Sequence, residues 1–211
     1  NTSIKARLAI GYAILLLLIV IVGVAGVKAL GTINGKLSEI TSINDVEKDM
    51  ALRLRINVDL QAIAIRDIVL ANNVEERNKA SDQLNQLRSQ FAERHDKLLK
   101  MFQDYQGQPQ EFEQMNRMKA ESEAIKPFFD SIRELALAGK TSDAMAKAPE
   151  IPGRLKGLRA ATDDLAKIED ELNASAIKEA QSAYESAKTT LLGVMFVAVL
   201  LTIGGAWLLT R

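Results

Sequence analysis

Two stretches decide the reading of this chain: residues 8–27, LAIGYAILLLLIVIVGVAGV, and residues 189–210, TTLLGVMFVAVLLTIGGAWLLT. Neither contains a charge, and each is bounded by bases: Lys5, Arg7 and Lys28 around the first, Lys188 and Arg211 around the second. About 20 apolar residues at ~1.5 Å rise per residue span a bilayer core as a helix. The first run exceeds the ~7–15-residue apolar core of a cleavable signal peptide, so retention is expected despite Gly23, Ala25 and Gly26. A chain that crosses twice holds both ends on one side and displays its middle on the other.

Charge sets the expected orientation. All 27 acids lie between the runs, with 24 of the 27 bases, the exceptions being Lys5, Arg7 and Arg211. The middle is therefore net −3 and the short ends +3. Basic ends stay cytoplasmic, which predicts an extracytoplasmic middle. The overall neutrality conceals this split and gives no sign of nucleic-acid binding. The chain has no cysteine, which excludes disulfides, thiolate metal sites and cysteine nucleophiles. A middle segment of roughly 160 residues is large enough to rely on its own core.

That segment reads as helix nearly throughout, rich in Ala, Leu, Glu, Lys, Gln and Arg. Breakers divide it. Ala71-Asn72-Asn73 ends one helix, and Asn73 with Glu76 predicts a capping box for the next. Gly107-Gln108-Pro109 is a turn with Pro at a helix start. Gly139-Lys140-Thr141-Ser142 combines a helix stop with a cap. The organisation expected is a tail at 1–7, a first span at 8–28, a sensor bundle at 29–188 and a second span at 189–210. Within the bundle, helices are expected at about 29–71, 74–106, 109–138 and 142–188. The outer two are about 65–70 Å long and the inner two about 45 Å. An all-α, antiparallel up-down four-helix bundle flanked by two transmembrane helices satisfies these lengths.

Apolar steps of three and four mark the seams. They are Ile43, Val46, Met50, Leu54, Val58, Ile65 and Ile68 in the first helix, and Leu155, Leu158, Ala161, Leu165, Ile168 and Leu172 in the fourth. After Leu172 the fourth helix turns small and polar, suiting close helix approach, a dimer seam included. Pro149, Pro152 and Gly153 predict a separate short turn at 142–148, with regular helix from about Pro152. Pro127 is expected to kink the third helix.

Catalytic chemistry finds little footing. The single His95, in Ala-Glu-Arg-His-Asp-Lys, reads as a solvated surface residue. Asp163-Asp164 and Glu169-Asp170-Glu171 read as solvated helix faces, so no metal-type clustering is expected, and no cofactor. No phosphate loop or nucleophile elbow occurs. The arginines carry more. Arg53 can meet Asp49, Arg55 can meet Asp59, and Arg159 can meet Asp163 at helical spacing. Arg66 has only Ile63, Ala62, Val69 and Leu70 at those spacings. It therefore needs Glu75 or Asp143 from another helix, or a ligand carboxylate held bidentately. Arg133 has only Asp130, and Arg154 only Glu150 across the Pro-Gly break. Arg55, Arg66, Arg133 and Arg154, with Asn57, Thr141 and Ser142, are the candidate anion-binding residues, each also readable as a structural surface group.

Two spans, long first and fourth helices, the distal Arg66-Asp67-Ile68-Val69-Leu70-Ala71-Asn72 and the opening Asn-Thr-Ser-Ile-Lys-Ala-Arg-Leu-Ala-Ile-Gly-Tyr give a resemblance. The whole chain resembles the N-terminal half of a bacterial methyl-accepting chemotaxis protein. The resemblance implies a non-enzymatic two-pass receptor of the inner membrane, with a periplasmic homodimeric sensor domain. Ligand is then expected between the first and fourth helices near the distal end, often across the dimer, with first-helix arginines holding carboxylates. Matched by helix and height, these are Arg55 and Arg66, with Arg154 on the fourth helix. The Pro-containing start of the fourth helix departs from the family's regular pattern. Signalling parts that engage a cytoplasmic kinase and adaptor are expected to follow Arg211.

The favoured ligand is a small di- or tricarboxylate. An aromatic acid is the runner-up, through Phe128, Phe129 and Tyr105. The sensor half of a histidine kinase or cyclic-dinucleotide enzyme, or a structural bundle without ligand, would use the same architecture.

Overall fold

The computed structural model describes residues 4–210, with side chains from residue 11 onward except those of 15, 206 and 208–210. The expected basic ends, Lys5, Arg7 and Arg211, thus lie outside the described side chains. Two compact units are present.

The first unit comprises the chain up to Thr41 and from Ala174 onward. It contains α1, Ile4–Glu39, and the C-terminal part of α7, Lys156–Thr210. Their most apolar windows have mean hydropathy 2.8 and 1.9, with none of either window buried. Both helices are long and apolar enough to cross a membrane. Exposed residues such as Ile19, Val24, Phe196 and Ile203 suit lipid rather than water as surroundings. Lys36 bridges the two helical stretches, reaching Glu39 on its own helix and Glu179 on α7, each at 2.9 Å.

The second unit, Ser42–Asn173, is a four-helix bundle. It is built from α2, Asp45–Leu70; α3, Val74–Asp104; α4, Pro109–Leu137; and α7 up to Asn173. A π-helical turn, Ile40–Asn44, leads into α2, so the expected uninterrupted helix over 29–71 has one irregular turn in it. Thr41 Oγ1 donates to the Leu37 carbonyl on its N-terminal side, a bond that locally competes with the helical ladder.

Turn chemistry explains where the bundle helices stop. Asn73 is extended (φ −142°, ψ 171°) and its Oδ1 accepts the Glu76 N–H at 2.8 Å. Glu76 in return accepts the N–H of Asn72, the residue before the cap, at 3.0 Å, so only the cap half of the box that the sequence spacing predicts is formed, and the return bond falls one residue earlier. Pro109 opens α4, where it costs no hydrogen bond. Glu111 reaches back to the Gln108 N–H. Gly107 makes this turn possible. A Cβ there would stand 2.8 Å from Phe102 Cβ and 2.9 Å from Glu111 Oε2. At the end of α4, Gly139 takes φ +77°, and the Lys140 N–H reaches the Leu135 carbonyl at 2.9 Å.

The fourth helix starts in pieces: α5, Thr141–Lys147; a 3-10 turn, Ala148–Glu150; α6, Ile151–Arg154; then α7. Pro149 and Pro152 each sit near the start of a piece, where a missing N–H matters least. α4 continues helical on both sides of Pro127.

The core runs the length of this unit. Leu54, Ile65 and Ile68 of α2, Leu84, Leu98 and Phe102 of α3, Met115, Met118, Phe129 and Ile132 of α4, and Leu155 and Leu165 beside them are all fully buried. The α2 seam differs from the expected one at a single step. Val46 is exposed and its neighbour Glu47 is buried. Around α7, Ile168 and Leu172 are half-buried and Glu169 takes the interior position.

Candidate functional site

The seven sequence-expected site residues fall in different settings. Asn57 is fully buried in the core, its Oδ1 accepting from Gln61 Nε2 at 2.8 Å. Arg133 holds Asn85 on α3 at 3.0 Å and Asp130 at 3.6 Å, fastening α4 to α3. Arg154 pairs with Glu150 at 3.3 Å and lies 4.9 Å above the Phe128 ring, a cation–π contact. Thr141 and Ser142 begin the seven-residue α5. Arg55 and Arg66 share one side of α2, eleven residues or about 16 Å apart. Among the described residues, no hydrogen bond, ion pair or ring contact that the structure describes joins any two of the seven. A surface depression of about 910 Å³ runs along Val74, Asn78, Asp82 and Gln86 of α3, and none of the seven lines it.

The two α2 arginines differ in how committed they are. Arg55 is shared between Asp59 and Asp163 of α7, the latter at 3.2 Å. Asp59 in turn accepts two bonds from Arg159 of α7, at 2.9 and 2.6 Å. Arg159 thus turns to α2 rather than to Asp163 on its own helix, and a chain Asp163–Arg55–Asp59–Arg159 ties α2 to α7. Arg66 has no such network. Its side chain is 60 % exposed, and its one described partner is the adjacent Asp67 at 3.2 Å. Neither Glu75 nor Asp143 reaches it among the described ion pairs.

Arg66 lies within an apolar stripe. Leu52, Ile56, Leu60, Ile63 and Leu70 are exposed and step along α2 by three, four and seven residues. Their common direction is outward, because the inward positions are Leu54, Val58, Ile65 and Ile68. Arg66 sits three residues after Ile63 and four before Leu70 on that stripe.

Two sequence expectations are corrected. His95 is buried at 6 % exposure, with Nε2 3.0 Å from the Met115 carbonyl and its ring stacked on Phe91 at 6.3 Å. It is a structural link between α3 and α4, because its ring falls on the Phe91–Leu98 side of α3. The second correction is larger. Glu169 is no solvated residue, and the carboxylates do cluster. Glu47 of α2, Glu111 of α4 and Glu169 of α7 are all buried, with one oxygen from each within 4.8 Å of the others. This layer lies at the bundle end marked by the Gly107 turn, opposite the Asn73 turn.

Three acids in a core are expensive when ionised. Burial is the main reason that Glu169 is pushed up to about 9, with Glu111, Glu47 and Asp170 adding to it. Burial, then the Glu111 charge, pushes Glu47 up to about 7. The signal for this layer was register. Glu47 falls three before Met50, Glu111 four before Met115, and Glu169 four after Leu165, all positions where a seam repeats. Only the stacking of three distant helices brings the three positions together.

An acid held above its ordinary value of 4.5 keeps its proton in the folded state after the unfolded chain has lost it. The folded chain therefore binds more protons across this window, and stability falls as pH rises. With a chelator present, the thermal midpoint of the wild type is expected to lose ground to that of Glu169→Gln between pH 5 and pH 9. A constant difference over that range would contradict the buried-acid account.

No curated protein and no solved structure matches the chain. A family model described as a four helix bundle sensory module for signal transduction matches residues 1–190. With the bundle, the two apolar helices and this match over most of its length, the chain belongs to the four-helix-bundle sensory modules of methyl-accepting chemotaxis proteins.

Proposed function

We propose that the chain is the sensing region of a two-pass bacterial chemoreceptor, with the bundle in the periplasm and a small organic di- or tricarboxylate as ligand. The observation that carries this reading is Arg66: an exposed guanidinium, weakly engaged by Asp67, set in an exposed apolar stripe on α2. The stripe supports a homodimer in which two copies of α2 face one another. Burying Ile56, Leu60 and Ile63 there supplies apolar area. It also removes water from around Arg66, which strengthens a bidentate carboxylate contact.

Arg55 lies along the same side and is held by two acids. A ligand carboxylate that reaches it competes with Asp59 and Asp163. That exchange loosens the chain of ion pairs between α2 and α7 and favours a second arrangement of α7. A ligand shifts such an equilibrium only by its differential affinity for the two arrangements. Because α7 runs unbroken to Thr210, a displacement along it is the proposed signal to a cytoplasmic kinase and adaptor.

The ligand reading is tested by thermal shift and calorimetry on residues 1–211 in nanodiscs with a panel of di-, tri- and aromatic carboxylates. At least one carboxylate is expected to raise the midpoint, and Arg66→Ala is expected to weaken its binding tenfold or more. A folded protein that responds to none of the panel would contradict the organic-acid reading. Unchanged affinity in Arg66→Ala would remove that residue from the site.

The dimer reading uses the absence of native cysteine. Ile63→Cys in the stripe is expected to give a disulfide-linked dimer on mild oxidation, and Gln83→Cys on the outer face of α3 is not. Equal cross-linking at both positions would overturn the proposed α2 face.

A further inference from the structure

We infer that Glu47, Glu111 and Glu169 form a binding site for a hard divalent cation of the calcium type inside the bundle. Three helices that are far apart in sequence each turn one carboxylate into the core at the same level. Glu169 is 0 % exposed, and neither of its oxygens has a hydrogen-bond donor. One turn further along the same face of α7, Asn173 Oδ1 is also buried and without a donor, while its Nδ2 is turned to Asp45 at 2.9 Å. Buried acceptors without donors are rare in native cores, and each needs an explanation. No described ion pair supplies a base. Lys48, the residue after Glu47, is turned to Asp170 instead.

With no base or N–H donor facing it, such a group is satisfied by a proton shared with Glu111 or by a cation, and the donor set selects among cations. Every candidate ligand atom is a carboxylate oxygen, with no sulfur or imidazole, which suits calcium, magnesium or manganese. Among these, calcium takes about six to eight oxygens in flexible geometry, whereas magnesium demands near-ideal octahedral coordination and keeps several waters. Glutamates that bind through both oxygens also meet the higher coordination number of calcium without water. The carboxylate of Glu111 is held from behind by the Gln108 N–H and is confined by the Gly107 backbone. Fixing a ligand through its own hydrogen bond is how outer partners orient a metal site. A cation bound here clamps α2, α4 and α7 at the end of the bundle where the π-helical turn enters α2. The site is distinct from the α2 stripe, so it stands whatever the organic ligand proves to be.

The test is calcium binding to the chain in nanodiscs after exhaustive chelation, measured by radiolabelled equilibrium dialysis and by thermal midpoint, with magnesium and manganese as comparisons. The expected result is one calcium per chain, a saturable rise in midpoint, and weaker responses to magnesium. Glu169→Gln and Glu111→Gln are each expected to lose that calcium while keeping wild-type helicity by circular dichroism. Asp164→Asn, an exposed acid on α7, is expected to keep it. If a Gln variant loses helicity, Glu47→Asp is read instead, with the expected result a weaker calcium affinity at full helicity. Absence of stoichiometric binding by all three cations to folded wild type would overturn the site. Calcium binding that survives Glu169→Gln and Glu111→Gln would overturn it equally.

Discussion

The bundle depends on an apolar seam that one acidic layer interrupts. Elsewhere Leu54, Leu84, Met118, Ile132 and Leu165 fill the interior as a helix bundle requires. At the level of Glu47, Glu111 and Glu169 the same register carries carboxylates with no base beside them. Removing an ionised carboxylate from water is among the costliest events in folding. The Gly107 turn and the Glu111 capping bond sit at the same end of the bundle, so local turn geometry and the buried acids are one feature. The π-helical turn lies only three residues before Glu47, and such irregular turns are frequent at functional positions.

Beside the Lys48–Asp170 and Asp45–Asn173 contacts, two different polar systems lie between α2 and α7. One is the half-buried chain Asp163–Arg55–Asp59–Arg159, which still faces solvent along one side. Ion pairs that keep contact with water contribute little to stability each, so a competing carboxylate would displace one at small cost in the proposed account. The other is the buried layer, which no organic anion can enter without breaking the core. The first suits reversible exchange with a ligand, and the second suits a fixed charge or a small cation. In the proposed account, separating them along the same pair of helices would let ligand exchange occur at one level while the bundle is held at another.

Much of the fold was legible from residue types. Asn73 with Glu76, Pro109 at a helix start, and Gly139 after a helix all have local mechanisms that one sequence reveals. The broken start of the fourth helix followed from Pro149, Pro152 and Gly153. The site was less legible because its determinants are not local. Arg159 has Asp163 at ideal spacing on its own helix yet turns to Asp59, since a partner on a neighbouring helix can outcompete one on the same helix. His95 sits among charges in sequence but falls on the Phe91–Leu98 face. Glu169 lies between two other acids and reads as solvated until its seam position is weighed against its charge. The exposed stripe on α2 was hidden for a related reason: α2 is apolar on two sides, and a sequence does not say which side the bundle takes.

The central claim is that a small carboxylate acts on the Arg55–Arg66 side of α2 and is felt by α7. Hydrogen–deuterium exchange of the chain in nanodiscs, with and without a carboxylate found to bind, tests it most directly. The account predicts slowed exchange in α2 around Arg55 to Arg66, together with altered exchange in α7 around Arg159 to Asp163. Changes confined to α3, or none in α7, would contradict it.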